Sequence, residues 1–200
     1  MHNNKLQLNP DKTEKILITS KHNQKSLSLP FSADLNGTSI NFSSTVRNLG
    51  VTLDQNLSFQ QNVSRVCQIC YFELRRINSI RHYLSQDALT KLIYAFVLSK
   101  IDYCEFLLAG CPKQLIQKHQ KVQNNAAGLI CRTRKSDHIS PVVHTLHWLP
   151  VEQRSECKLL LLAFQSVNNE DPSYVSDLLK FCIPSRQLRS SSDLPLSAIT

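Results

Sequence analysis

Apolar residues alternate in short runs over the first 54 positions and recur every three or four residues after them. The chain therefore predicts strands first and helices afterwards. Leu8-Asn9-Pro10-Asp11 breaks an opening alternation with a turn, because the residue before proline is pushed out of helical conformation. Lys15-Ile16-Leu17-Ile18-Thr19 reads as a buried-type strand. Leu27, Leu29 and Phe31 alternate with polar neighbours, as do Ile40 and Phe42. Between the two runs lies Asn36-Gly37, a pair suited to a two-residue hairpin turn. A further strand runs from Val46 to Asp54, where Val46, Val51 and Thr52 favour extended backbone and Gly50 allows a bend or a close approach. The sum is a small antiparallel sheet. Alone it is too small to be stable, so it calls for a covering helix or a partner.

From Ser58 the period lengthens. Phe59, Val63, Val66, Cys70, Leu74 and Ile77 line one face of a helix that ends near His82. Ser85 caps the next, which carries Leu89, Leu92, Ile93, Phe96, Val97, Ile101, Cys104 and Leu108 and stops at Gly110 before Pro112. A third, from Lys113 to Cys131, offers Leu115, Val122, Ala126 and Ile130. Pro141 starts a fourth, Pro150 a fifth containing Leu159 to Phe164, and Pro172 a sixth ending near Lys180. The serine-, arginine- and proline-containing stretch from Pro184 reads as a loose tail. The fold class is α+β, a small sheet followed by a mainly helical region.

Composition narrows the partners. The chain has 200 residues, 42% apolar and 19% charged, with a net charge of +8. Such a composition is globular, and the charge favours a polyanionic partner, nucleic acid before membrane. Between residues 60 and 140, twelve Lys and Arg stand against five Asp and Glu, so most of the surplus lies there. Arg75, Arg76 and Arg81 cluster near one helix end, and Arg132, Arg134 and Lys135 near another. They can meet phosphates or simply answer the helix macrodipole. Met1-His2-Asn3-Asn4-Lys5 lacks the apolar run of a signal peptide. That predicts an intracellular chain, nuclear or cytoplasmic, whose seven cysteines are reduced. The apolar run Leu159 to Phe164 is too short to span a bilayer.

Catalytic signals are sparse. Cys67-x2-Cys70 and His144-x2-His147 have zinc-like spacing, but the thiol pair falls inside a helix and no second pair follows. There is no Gly-x-Ser-x-Gly, and the four glycines do not cluster into a phosphate loop. Glu170-Asp171, the only adjacent acids, precede Pro172 as a helix start would. Asp11, Asp34 and Asp54 stand singly at turns or strand ends. No metal site is expected.

Several motifs nevertheless occur in a familiar order. They are Leu8 to Glu14, Val46-Arg47-Asn48-Leu49-Gly50-Val51-Thr52-Leu53-Asp54, Ile101-Asp102-Tyr103-Cys104, and Lys121-Val122-Gln123-Asn124-Asn125-Ala126-Ala127. Leu146-His147-Trp148-Leu149-Pro150-Val151 and Leu188-Arg189-Ser190-Ser191 complete the series. Together they resemble the distal part of reverse transcriptases of LINE-type (non-LTR) retrotransposons, nearest the jockey-like branch. The resemblance implies a palm remnant over 1–57, a thumb-like helical region over 58–135, a C-terminal helical extension over 136–183 and a tail over 184–200. By the same resemblance Lys12 matches a lysine near the incoming nucleotide's phosphates, and Asn48, Leu49, Gly50 and Val51 match the primer-grip hairpin. In that family a Tyr/Phe-x-Asp-Asp turn helps hold two magnesium ions. No Asp-Asp occurs here, and Phe31-Ser32-Ala33-Asp34-Leu35 echoes the turn without its second aspartate. The resemblance thus implies a truncated RNA-directed DNA polymerase, missing its upstream palm and fingers and with no cofactor of its own. It would be inactive alone and at most able to hold template–primer RNA or DNA. A basic nucleic-acid-binding module with its own role, and an inert helical interaction protein, are the alternatives.

Overall fold

The structure is a computed structural model describing residues 9, 12–20, 23, 32–35, 38–134, 137–168, 170, 172–177, 179–181 and 196–198. The strands are β1 (Lys15–Ile16), β2 (Ser32–Leu35), β3 (Thr38–Ser43), β4 (Thr45–Asn48) and β5 (Val51–Asp54). The helices α1 (Gln60–Ile80), α2 (Gln86–Ile93), α3 (Ser99–Asp102), α4 (Lys113–Cys131), α5 (Ile139–Thr145), α6 (Val151–Val167) and α7 (Ser173–Ser176) follow. A last pair of strands is β6 (Leu179–Phe181) and β7 (Leu196–Ala198). The class is α+β, mostly helical, as the change of period indicates. The chain forms two compact units. One holds residues 1–104 with 110–148, the other residues 105–109 with 149–200.

In the first unit the strands differ from a single antiparallel sheet. β2 and β3 form an antiparallel hairpin whose register pairs Leu35 with Thr38, so the chain reverses within two residues, as Asn-Gly favours. Asn36 and Gly37 themselves lie outside the described residues, as do Leu27, Leu29 and Phe31. β1, however, pairs with β3 in parallel, and β4–β5 is a separate antiparallel hairpin. The strand expected over Lys15 to Thr19 is only two residues long, and Ile18 is exposed. Beyond Ile16 the backbone is claimed by other partners. The Thr19 N–H donates to the Gln55 carbonyl at 2.9 Å, and Asn56 Nδ2 donates to the Thr19 carbonyl at 2.9 Å.

The helices supply the cover that the strands lack. α1 buries Val63, Cys67, Cys70, Leu74 and Ile77, packing on α4 and on α2. α4 answers with Leu115, Ile116, Val122, Ala126, Ala127 and Ile130. Polar ties fix the register of these helices. Asn125 Nδ2 donates to the Tyr71 hydroxyl at 3.2 Å, and Gln86 Nε2 donates to the Ile130 carbonyl at 2.8 Å. Asp54 organises the entry to α1, its Oδ1 accepting from the Ser58 and Phe59 amides at 2.7 and 3.2 Å. Partial burial works against its charge, but these bonds together with the Ser58 hydroxyl outweigh it and hold the carboxyl below its ordinary range. Asn62, on the first turn of α1, accepts from the Thr52 amide at 3.1 Å and ties the helix to β5.

The second helix is not continuous. Ser85 caps α2 as expected, its Oγ accepting from the Ala88 amide at 3.3 Å. Residues Tyr94–Leu98 then form a π turn. The Ser99 hydroxyl donates to the Ala95 carbonyl there, and such back-bonding loosens the helical ladder. The wider turn shifts the apolar phase by one position, so Val97 and Leu98 are both buried while Phe96 lies outside. Past α3 the chain leaves the helix altogether. Tyr103 is extended and Cys104 left-handed at φ 56°. Trp148, buried at the end of this unit, donates its indole N–H to the Tyr94 hydroxyl at 2.6 Å, the two rings meeting edge to face.

In the second unit the turn Glu105–Leu108 packs on α6. The Glu105 side chain is fully buried, with Arg154 Nε at 3.3 Å and Lys158 Nζ at 3.5 Å. Here the sequence pattern misleads twice. The apolar run of α6 faces outward, with Leu160 and Phe164 67% and 62% exposed, while Ser155 and Ser166 are buried. Their hydroxyls make this possible by donating to the Glu152 and Leu162 carbonyls of their own helix. The sixth helix lasts one turn, not through Lys180. Leu179–Phe181 pairs antiparallel with Leu196–Ala198, which places part of the expected tail in a ladder.

Candidate nucleic-acid interface

The helix ends decide where the predicted arginines stand. α1 ends at Ile80, and Arg81 continues it for one tighter turn. α4 ends because Arg132 turns left-handed at φ 55°, with its own N–H and that of Thr133 both donating to the Gly128 carbonyl. That conformation normally falls to glycine or asparagine. A Cβ on Gly128 would lie 3.1 Å from Thr133 Oγ1, so the small residue lets the returning chain pass closely. The return carries Thr133 and Arg134 back across α4. Arg134 is fastened by its backbone N–H donating to Asp137 Oδ2 at 2.8 Å.

The result is an open polar cleft of about 310 Å³, lined by Arg81, Asn124, Asn125, Thr133, Arg134 and Asp137 among others. Two predicted arginines, one from each sequence cluster, thus share a site. The remainder divide. Arg76 lies over the Phe72 ring at 5.6 Å and pairs with Glu73 at 3.4 Å. Arg75 is exposed on α1, and neither arginine lines the cleft. Arg132 serves first as the helix terminator, and Lys135 lies outside the described residues. Asn124 and Asn125, within the Lys121–Ala127 motif, supply side-chain amides that a charge count cannot register.

The hairpin tip is the second predicted feature. Asn48 pairs with Val51, leaving Leu49 and Gly50 as the turn at φ 47° and 87°. Both residues are left-handed, the signature of a type I′ turn, and glycine at the second place is required by backbone conformation. Val51 is buried, whereas Asn48 and Leu49 are exposed. Tyr103, 54 residues away, donates its hydroxyl to the Leu49 carbonyl at 2.5 Å. Lys12 is exposed in a turn closed by its own amide on the Asn9 carbonyl at 3.3 Å.

Two of the cysteines belong to packing. Cys67 and Cys70 are buried in α1, and burial pushes the Cys70 thiol up to about 12, which disfavours the thiolate a metal or nucleophile needs. His147 owes its position to backbone geometry. It is left-handed at φ 54°, with Trp148 N–H donating to the Val143 carbonyl and its own N–H to that of His144, a helix-ending Schellman motif. Among the described residues no three His, Cys, Asp or Glu side chains gather as a metal-holding group. Nor is any described helix long and apolar enough to cross a membrane. Asp54 is committed to the entry of α1, and no Asp-Asp exists. Comparison of the chain with family models, with curated proteins and with solved structures finds no match.

Proposed function

We propose that this chain is the distal, thumb-like part of a LINE-type reverse transcriptase, which grips a nucleic-acid duplex without catalysing synthesis. The observation that carries the reading is the cleft that Arg81 and Arg134 both line, together with Asn124, Asn125, Thr133 and the acidic Asp137. Guanidinium groups neutralise phosphates and release their counterions, while amides and hydroxyls donate to phosphate oxygens and fix register. In this reading the β4–β5 tip meets the primer end, the role that resemblance gives to Asn48, Leu49, Gly50 and Val51. Lys12 keeps a family position without the aspartates it would serve.

The two features sit toward opposite ends of α1, which β5 touches through Asn62 near its start and which Arg81 extends at its finish. α1 has 21 residues, roughly 31 Å at 1.5 Å per residue. On this reading the partner is a template–primer duplex, met inside the cell in the nucleus or cytoplasm.

The test is primer extension by the purified chain on an annealed RNA template and DNA primer, with magnesium and all four nucleotides. A mobility shift of the duplex with no nucleotide incorporated is the expected result. Robust magnesium-dependent incorporation, or no shift at any concentration, would contradict it.

A further inference from the structure

α6 turns its polar groups inward and its leucines outward. The inner face holds the buried Val151, Ser155 and Ser166, with Arg154 and Lys158 at 3.3 and 3.5 Å from Glu105. The outer face is a stripe of Cys157, Leu160, Leu161, Phe164 and Val167, spaced three and four residues apart as in a helix seam. All five are exposed, Leu160 by 67%, Phe164 by 62% and Leu161 by 56%. Every charged residue of α6 precedes Leu159, and none follows as far as Val167.

The size of this face and its charges choose among partners. Leu159 and Leu162 flank the stripe and are 48% and 37% exposed. Taken at about 150–200 Å² per large side chain, the face offers on the order of 500 Å² of apolar surface, an area that commonly marks an interaction site. An interface is about 60% apolar, so such a face fits about 800 Å² per partner, the standard size of a stable complex. A membrane surface calls for Lys and Arg beside the apolar face. Here both cations of the helix are engaged at Glu105, and the acids Glu152 and Glu156 are exposed instead. A polyphosphate finds nothing to pair with on an uncharged stripe. A second copy of the same stripe matches it in both area and charge.

We propose that α6 is the interface of a homodimer, two copies packing this stripe antiparallel about a two-fold axis at the level of residue 162. Leu160 then meets the partner's Phe164, and Cys157 meets the partner's Val167, each larger or smaller side chain facing one of similar size. Antiparallel helices oppose their macrodipoles. The overlapping stretch 157–167 contains one charged residue, Lys158, which lies at Glu105 rather than in the seam. A parallel pairing would align the dipoles and bring Glu156 of both copies to one level. The contact is isologous, so it closes at two copies. Dimer formation needs no nucleic acid.

Sedimentation equilibrium of the full chain at micromolar concentration, beside Leu160→Gln/Phe164→Gln, tests the interface. Both substitutions are at exposed positions and keep good helix formers, and circular dichroism checks that helix content is unchanged. The wild type is expected to be a dimer and the double variant a monomer, its association weakened about a hundredfold or more. Val167→Cys tests the direction independently. Under mild oxidation it should give a dimer joined between Cys157 and residue 167, located by peptide mass spectrometry. Cys157 of the two wild-type copies would stand about 15 Å apart along the seam, too far for a disulfide. A monomeric wild type, or a double variant that still dimerises, overturns the proposal. So does a wild-type bond between the two Cys157 thiols, which parallel helices would allow. Co-sedimentation of a monomeric wild type with phosphatidylcholine–phosphatidylserine vesicles, lost in the double variant, would assign the face to a membrane instead.

Discussion

At the scale of single residues, several side chains that composition marks as chemical turn out to be committed to backbone geometry. Arg132 counts as one of six clustered basic residues in the sequence, yet its place is set by the left-handed φ of 55° that ends α4. That commitment can be measured. Arg132→Gly relieves left-handed strain of about 1 kcal/mol and returns part of it as chain entropy. The variant should therefore melt at or a few degrees above the wild-type temperature. A clear fall in thermal denaturation would show that the arginine side chain, not its backbone, matters most for stability. His147 at φ 54° and Leu49 at φ 47° repeat the lesson. Positive φ at a residue other than glycine leaves no mark on hydrophobic periodicity, so none of the three was legible in the sequence. Gly50 was legible as a bend, because glycine announces the freedom that its φ of 87° uses.

At the scale of elements, the helices with clear period and end signals come out as the sequence indicates. α1 and α4 bury the predicted Val63, Cys70, Leu74, Ile77, Leu115, Val122, Ala126 and Ile130, and Ser85 caps α2. The π turn escapes such reading because one inserted residue changes the phase without breaking the apolar pattern. The parallel ladder between β1 and β3 escapes it too, since alternation is silent about strand direction. Glu105 is the sharpest case. It reads as one more surface acid that dilutes the basic helices, yet it is fully buried between Arg154 and Lys158. Removing one partner from a buried pair typically costs about 3–5 kcal/mol. Lys158 is 37% exposed, so solvent screening reduces the expected loss for Glu105→Ala to about 2 kcal/mol. Urea denaturation followed by helical circular dichroism measures it, and a change within about 0.5 kcal/mol, the range of an ordinary surface substitution, would show the triad to be incidental.

At the scale of the whole molecule, the basic surplus of residues 60–140 becomes meaningful only where the chain folds back on itself. The sequence offers two arginine clusters some fifty positions apart and no means of joining them. The left-handed turn at Arg132 and the close passage over Gly128 bring Arg134 to the same cleft as Arg81. On the proposed reading it is this cleft, rather than the net charge of +8, that would meet phosphates. The most direct measurement is the affinity of the purified chain for a recessed-end RNA–DNA duplex across a series of salt concentrations, set beside Arg81→Ala/Arg134→Ala. The wild type should show log affinity falling linearly with log salt. The double variant should bind more weakly on every duplex sequence, with a slope shallower by about 2. Affinity that ignores salt, or a double variant that matches the wild type in both strength and slope, would contradict the assignment of this cleft to nucleic acid.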